Sequence, residues 1–180
     1  MEKRNIYVVI LAAGRSSRMA SLSEEFSKVA YPILDKPLVN YVLSAAKPLN
    51  AENTLVVVGF GGNQTIKCVE KEAQVVWQKE VLGTGHAVMQ AIPFLKDKDA
   101  DVFILCGDTP LLRTETLEKI YHKHYKNGND LTICSTILVN PEGYGRVVRD
   151  HTTHLVKEIR PYAELDEEEK WLVEFTKILK

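Results

Sequence analysis

Ile6-Tyr7-Val8-Val9-Ile10-Leu11-Ala12-Ala13-Gly14 stands near the start of the chain and runs straight into Arg15-Ser16-Ser17-Arg18-Met19. Residues 7–11 read as a strand that is apolar on both faces, as expected of a central strand in a sheet covered by helices on each side. The apolar run stops at Gly14, far short of the roughly 20 residues that a membrane span needs. It also lacks a secretory h-region and cleavage site. Next comes a turn of small and polar residues carrying two guanidinium groups. In open α/β sheets ligands bind beyond the carboxyl ends of strands, where small residues let backbone N–H groups approach an anion. The turn is neither a Walker A loop, since no Gly-Lys-Ser/Thr comes after it, nor a Gly-x-Gly-x-x-Gly fingerprint. On spacing alone it stays open between a phosphate cradle and an ordinary strand-to-loop turn.

Outward from this strand, strand-length apolar runs alternate with stretches of helical period, which predicts an α/β domain with a mostly parallel sheet. Leu38, Tyr41, Val42 and Ala45 recur at helical spacing behind Pro37, a first-turn proline, and Pro48 marks the end. Further strands are expected over 54–58, 74–77, 102–106 and 131–139. Helices are expected from Asn63, as cap, through Glu72, over 84–95 with Ala87, Val88, Ala91 and Ile92 on one side, and from Thr114, as cap, to Asn127. His122 and His124 belong to the surface and the stripe of that last helix. Residues 164–180 have acids in front, lysines behind and Leu172, Phe175 and Leu179 on one face, which predicts an amphipathic helix. It would end without a cap, so the chain reads as one domain over 1–180 that is incomplete at its C-terminus.

The composition is that of a soluble globular protein: 180 residues, 45% hydrophobic, with 23 basic and 24 acidic side chains and a net charge of −1. That balance argues against nucleic acid as a partner, because such binders are usually strongly basic. Cys68, Cys106 and Cys134 are odd in number, far apart and without metal-ligand spacing, so they read as buried thiols. Together with the lack of a targeting segment, they point to the cytoplasm.

Three more places can carry chemistry. Lys28 lies ten residues after Arg18, in a loop that could fold back over the same pocket and set cationic groups around a triphosphate. By itself, a solvated lysine is the plainer reading. Asp108 ends a strand in Cys106-Gly107-Asp108-Thr109-Pro110, where a lone carboxylate can hold a Mg²⁺ ion shared with phosphates or merely stabilise the turn. Leu82-Gly83-Thr84-Gly85-His86-Ala87 opens a helix whose N–H groups could meet an anion or a base edge.

Leu11-Ala12-Ala13-Gly14 with Arg18 and Lys28, Gln78 before Leu82-Gly83-Thr84-Gly85-His86-Ala87, Gly107-Asp108-Thr109-Pro110-Leu111, and Gly143-Tyr144-Gly145-Arg146 occur in one order and spacing. In this the chain resembles bacterial N-acetylglucosamine-1-phosphate uridylyltransferases over residues 6–160. The resemblance implies a Rossmann-like nucleotide-diphospho-sugar transferase fold. It also implies that UTP and a sugar 1-phosphate are joined to give a UDP-sugar and pyrophosphate, for cell-envelope polysaccharides. It assigns Leu11, Ala12, Ala13, Gly14, Gln78, Gly83 and Thr84 to the nucleotide, Arg18 and Lys28 to phosphate stabilisation, Asp108 to Mg²⁺, and Gly145 and Glu158 to the sugar side. An already nucleophilic sugar phosphate needs alignment and positive charge, with no covalent intermediate.

Departures from the family pattern carry expectations of their own. Gly-x-Gly-Thr-Arg-Met becomes Gly14-Arg15-Ser16-Ser17-Arg18-Met19, which loses a residue tolerant of positive φ, and Pro-Lys becomes Ser27-Lys28, which should free the Lys28 loop. The acidic sugar-binding residue aligns with Glu158, ahead of Glu164. The family's Asn-Thr-Gly sugar segment, second metal ligand and β-helix acetyltransferase lie beyond the matched region. The alternatives are a non-catalytic nucleotide-sugar binding module, or the same chemistry on another sugar phosphate or base.

Overall fold

The strand β1 (Ile6–Ala12) is buried along its whole length, and the fold arises from the need to cover both its faces. A computed structural model describes residues 4–14, 26–95, 99–167 and 174–175. These form two compact units, 1–119 and 120–180.

In the first unit a short hairpin of β2 (Pro32–Ile33) and β3 (Lys36–Pro37) leads into α1 (Leu38–Ala46), and then come β4 (Asn53–Val58), α2 (Gly62–Val69), β5 (Gln74–Trp77), α3 (Thr84–Ala91) and β6 (Asp101–Cys106). The four long strands make one sheet in the order β5-β4-β1-β6, parallel throughout. Alternation along β1 divides the core. Val8, Ile10 and Ala12, with Val56 and Val58 of β4, pack under Val39, Val42, Leu43 and Val69 of α1 and α2. Val9, Leu11 and Ala13, with Leu55, Val57 and Val76, pack under Ala87 and Ala91 of α3. With a side-chain period of two and both faces covered, near-continuous apolar strands are what the architecture requires.

The boundaries differ from expectation in instructive places. The second helix starts at Gly62, capped by Gly61 at φ 64°, so Asn63 lies already inside its first turn and caps nothing; the helix stops at Val69. Pro93 has no N–H to continue a helix, and α3 ends at Ala91 in a 3₁₀ turn over Ile92–Phe94 that leaves Ile92 exposed. The helix α4 (Thr114–Asn127) runs to the expected end, and the Thr114 hydroxyl donates to the Ala45 carbonyl, 2.9 Å away.

In the second unit the run 131–139 forms only β7 (Thr136–Ile137), with Leu131, Ile137 and Val139 exposed. β-Branched residues make a strand only where a neighbour takes their backbone groups. Here the neighbour is β10 (Glu174–Phe175), paired over two residues. That strand falls inside the segment expected to be helical, where tertiary pairing overrides a weak local preference; at the front of the same segment Glu164 ends a 3₁₀ turn and 165–167 form no α-helix, while 168–173 and 176–180 lie outside the described residues. Between them β8 (Arg146–Arg149) and β9 (Val156–Arg160) form an antiparallel hairpin with an irregularity at Val148/Arg149. Arg149 of β8 is bonded to Glu174 of β10 by Nε at 2.7 Å and Nη2 at 2.6 Å. All three cysteines are thiols, but Cys134 is exposed and the other two half-buried, so the expectation of buried thiols fails for Cys134. Among the described residues no helix is long and apolar enough to cross a membrane.

Candidate functional site

The strands of the first unit end level with one another. Ala12 of β1 pairs with Val58, Leu11 with Cys106, and Val58 with Trp77. The residues just past each end, Ala13-Gly14, Gly59, Gln78 and Gly107-Asp108, therefore stand along one edge, the carboxyl edge at which open α/β sheets bind ligands.

Two glycines let the edge close up. A Cβ on Gly107 would lie 3.0 Å from the Leu11 carbonyl oxygen, and one on Gly59 would lie 2.9 Å from the Ala13 Cβ. The Gly107 N–H donates to that Leu11 carbonyl at 2.9 Å. Leu11, Ala12 and Ala13 point their side chains into the core, which leaves their backbone as the part that can face a ligand. Gly14 is exposed, and among the described residues nothing lies within 4 Å of a Cβ placed on it.

Lys28 and Asp108 meet across 80 positions, Nζ to Oδ2, at 3.0 Å. Asp108 comes after β6, in a turn closed by the Thr109 hydroxyl donating to the Cys106 carbonyl at 2.7 Å. Lys28 starts a 3₁₀ turn over Lys28–Ala30, anchored by Val29 and Ala30 in the core. The residue before it, Ser27, is buried; its N–H donates to Gln64 Oε1 at 2.9 Å and its hydroxyl accepts from Thr65 Oγ1 at 2.8 Å. The expectation that loss of a proline frees this loop is thus overturned: side-chain bonds from α2 hold it. Neither Gln64 nor Thr65 stands out in the sequence, because only the topology brings α2 against Lys28.

Gln78 is 2% exposed. Its amide nitrogen donates to the Gly83 carbonyl at 3.0 Å and lies 3.0 Å from His86 Nδ1. Gly83 caps α3 at φ 105°, a conformation that an L side chain rarely adopts. Gln78 therefore shapes the turn that presents Gly83 and Thr84, and Thr84 Oγ1 is buried with no hydrogen-bond partner among the described residues. His86 sits between Gln78 and Gln90, whose amide nitrogen is 3.2 Å from His86 Nε2. Both ring nitrogens of His86 thus have polar neighbours from the protein itself.

Arg18 lies outside the described residues. Gly145 and Glu158 belong to the second unit. Gly145 is buried in the turn before β8, and Arg146 beside it is 1% exposed, with its guanidinium donating to the Pro141 carbonyl at 2.8 Å and to that of Tyr144. Arg146 thereby holds the Gly143-Tyr144-Gly145 turn together. Glu158 lies on β9 and pairs with Arg160 Nη2 at 2.7 Å; that hydrogen bond holds its carboxyl below the usual carboxylate range. Glu164 is exposed in a 3₁₀ turn over Tyr162–Glu164.

Among the described residues no three His, Cys, Asp or Glu side chains gather to hold a metal. A Mg²⁺ that keeps most of its waters and shares substrate phosphates needs only one or two carboxylates. Asp108 fits that mode and does not fit an all-protein cage.

Comparison with known proteins agrees with the motifs. The bifunctional protein GlmU of Geobacillus sp. (strain WCH70) is 39% identical over 168 residues, 93% of this chain and 36% of that protein. GlmU of Caldanaerobacter subterraneus subsp. tengcongensis is 42% identical over 162 residues, 90% of this chain and 34% of that protein. The chain thus spans about a third of the length of these relatives. Among solved structures, UDP-glucose pyrophosphorylase complexed with UDP-glucose shares the fold with a TM-score of 0.68 at 17% identity, covering 96% of this chain and 73% of that one. The inositol-1-phosphate CTP transferase from T. maritima shares it at 0.64 and 19%, covering 98% and 70%. The model of the MobA-like NTP transferase domain matches residues 8–170, and the chain belongs to that family.

Proposed function

We propose that the chain is a nucleotidyltransferase module that joins UTP and N-acetylglucosamine 1-phosphate to give UDP-N-acetylglucosamine and pyrophosphate, with Mg²⁺, in the cytoplasm. The observation that carries the reading is the Lys28–Asp108 pair, at 3.0 Å, on the carboxyl edge of the sheet. Similarity to the GlmU proteins over about 90% of the chain supports the choice of substrates.

A phosphate oxygen of the sugar phosphate forms a bond to the α-phosphorus of UTP while the bond from that phosphorus to the bridging oxygen breaks, and pyrophosphate leaves. The protein's task is positioning and charge. The backbone of Leu11, Ala12, Ala13 and Gly14 and the Gly83-Thr84 turn take the nucleotide. Gln78 acts through Gly83, since its amide nitrogen is committed inside the protein. Lys28, with Arg18, offsets the triphosphate charge, and Asp108 keeps the Lys28 ammonium at the edge. Asp108 is also the residue that would hold Mg²⁺, whose charge, when bound, stabilises the phosphates. Gly145 and Glu158 serve the sugar side.

The test is Mg²⁺-dependent pyrophosphate release from UTP with N-acetylglucosamine 1-phosphate. Lys28→Ala and Asp108→Ala should each lower turnover by about 10²–10³-fold while leaving the melting temperature of a folded chain in place. Turnover indifferent to both substitutions refutes the site. A folded chain that UDP-sugar stabilises, yet that releases no pyrophosphate, is a binding module instead.

A further inference from the structure

We infer that Ser27, held by Gln64 and Thr65 of α2, is a positioning residue that fixes Lys28 for phosphate binding; the inference rests on the phosphate role proposed for Lys28. Ser27 is 1% exposed and Thr65 0%, so this polar contact is made in the interior, where an unmet partner would be costly. Three bonds converge on the residue directly before Lys28. Its N–H goes to Gln64 Oε1 at 2.9 Å, its hydroxyl takes the Thr65 hydroxyl proton at 2.8 Å, and its carbonyl takes the Ala30 N–H at 3.0 Å. The first two reach α2 and the third closes the turn that carries Lys28.

The backbone of Ser27 sits at φ −79° and ψ 117°. Proline would fix φ at nearly the same value through its ring, but it has no N–H for Gln64. Ser27 reaches the same end through bonds to a neighbouring helix, and that difference has a mechanical consequence. Because α2 starts a few residues after β4 ends, the Lys28 turn is referred to the same sheet edge that carries Asp108. The ammonium is thus placed from two sides, by its ion pair with Asp108 and by its backbone anchor on α2.

The experiment joins amide hydrogen exchange to UTP affinity by calorimetry. In Ser27→Gly and Thr65→Val, exchange at the Ala30 and Tyr31 amides should accelerate about tenfold or more while the β1 and β4 amides keep their protection. Ser27→Gly should weaken UTP binding by about tenfold, the loss expected when an anchoring bond goes. In a Lys28→Ala background it should add nothing, because a positioning residue has no effect once its target is gone. Unchanged exchange at Ala30 and Tyr31 overturns the inference, and so does a Ser27→Gly effect that persists in full without Lys28, since that would be general loosening. If UTP affinity responds to Lys28→Ala but ignores Ser27→Gly, the inference alone falls. If it ignores Lys28→Ala, the phosphate role falls and takes the inference with it.

Discussion

One chemical change, glycine to alanine, should have opposite effects at two places in the first unit, and the structure sets both signs. At Gly59 the added methyl would stand 2.9 Å from the Ala13 Cβ, 3.0 Å from the Ala13 oxygen and 3.3 Å from its Cα. Carbon contacts settle near 3.5–4.0 Å, so β1 and β4 would have to part by about half an ångström or more at their ends. Ala13 is buried in the core beneath α3, and such overpacking costs about 1–3 kcal/mol. Alanine's stiffer unfolded chain returns about 0.4–1 kcal/mol, which leaves a net loss of about 1–2 kcal/mol. For a chain of this size that lowers the melting temperature by about 2–8 °C. At Gly85, in the first turn of α3, nothing among the described residues lies within 4 Å of the added methyl, and the better helix former should gain about 0.5–1 kcal/mol. Gly62 falls between the two. Its methyl would meet Trp77 ring atoms at 2.7 Å, but Trp77 is 45% exposed and its ring can swing, so Gly62→Ala should stay within about 1 kcal/mol of wild type. Thermal and urea unfolding, read with a helical signal, rank the three. Gly59→Ala melting at or above wild type, or Gly85→Ala melting below Gly59→Ala, would refute the close approach at the sheet edge.

Gln78→Glu should destabilise more than Gln78→Leu, because a carboxylate cannot donate to the Gly83 carbonyl and would be left buried beside it; a loss of about 1–3 kcal/mol for the leucine variant in urea unfolding sets the scale, and equal stability of the glutamate variant and wild type would contradict the assigned bond. The hydrogen bond from Arg149, assisted by one from Ser135, holds the Glu174 carboxyl down from the ordinary 4.5 to about 2. A depressed carboxylate stabilises the fold above its unfolded value and loses that stabilisation as pH falls through the folded one. The stability of wild type relative to Glu174→Gln should therefore be constant above about pH 5 and shrink between about pH 4.5 and pH 2. A difference that stays flat down to pH 2 would sink the pairing.

The strands were legible in the sequence where burial decides the pattern and illegible where pairing does. Residues 7–11 and 54–58 are apolar because they stand in the middle of the sheet and are covered on both faces, whereas 74–77 and 102–106 end the strand order and leave Trp77, Val102 and Ile104 partly exposed; each strand was found within a residue of its expected ends. The run 131–139 has similar composition, but only Thr136–Ile137 finds a partner, and composition carries no information about partners. The same holds for Glu174–Phe175, whose helical spacing is real and whose strand state depends on β7 and on Arg149. Helix lengths failed where one backbone feature decided the matter, such as the left-handed Gly61 or Pro93, which donates no hydrogen bond.

The candidate site divides along the same line. Lys28 and Asp108 are 80 residues apart, yet their meeting is a consequence of the strand order, because β6 is the direct neighbour of β1 and a parallel sheet puts every carboxyl end on one edge. A carboxylate after β6 stands on the edge from which the loop after β1 departs, and the bonds from α2 to Ser27 bring Lys28 back to it. The role of Gln78 was the opposite case. Its place after β5 was legible, but the direction of its amide, inward to Gly83 and His86, depends on the Gly83 turn at φ 105°. Ser27 shows why a motif departure should be judged by its surroundings. Read alone, serine for proline removes a constraint on the backbone before Lys28. Read with Gln64 and Thr65, the same change supplies an N–H and a hydroxyl to two groups that a proline would leave unmet, so the constraint passes from a ring to a neighbouring helix. A substitution that loosens a loop in one context can thus fasten it in another, and the partner's position decides which.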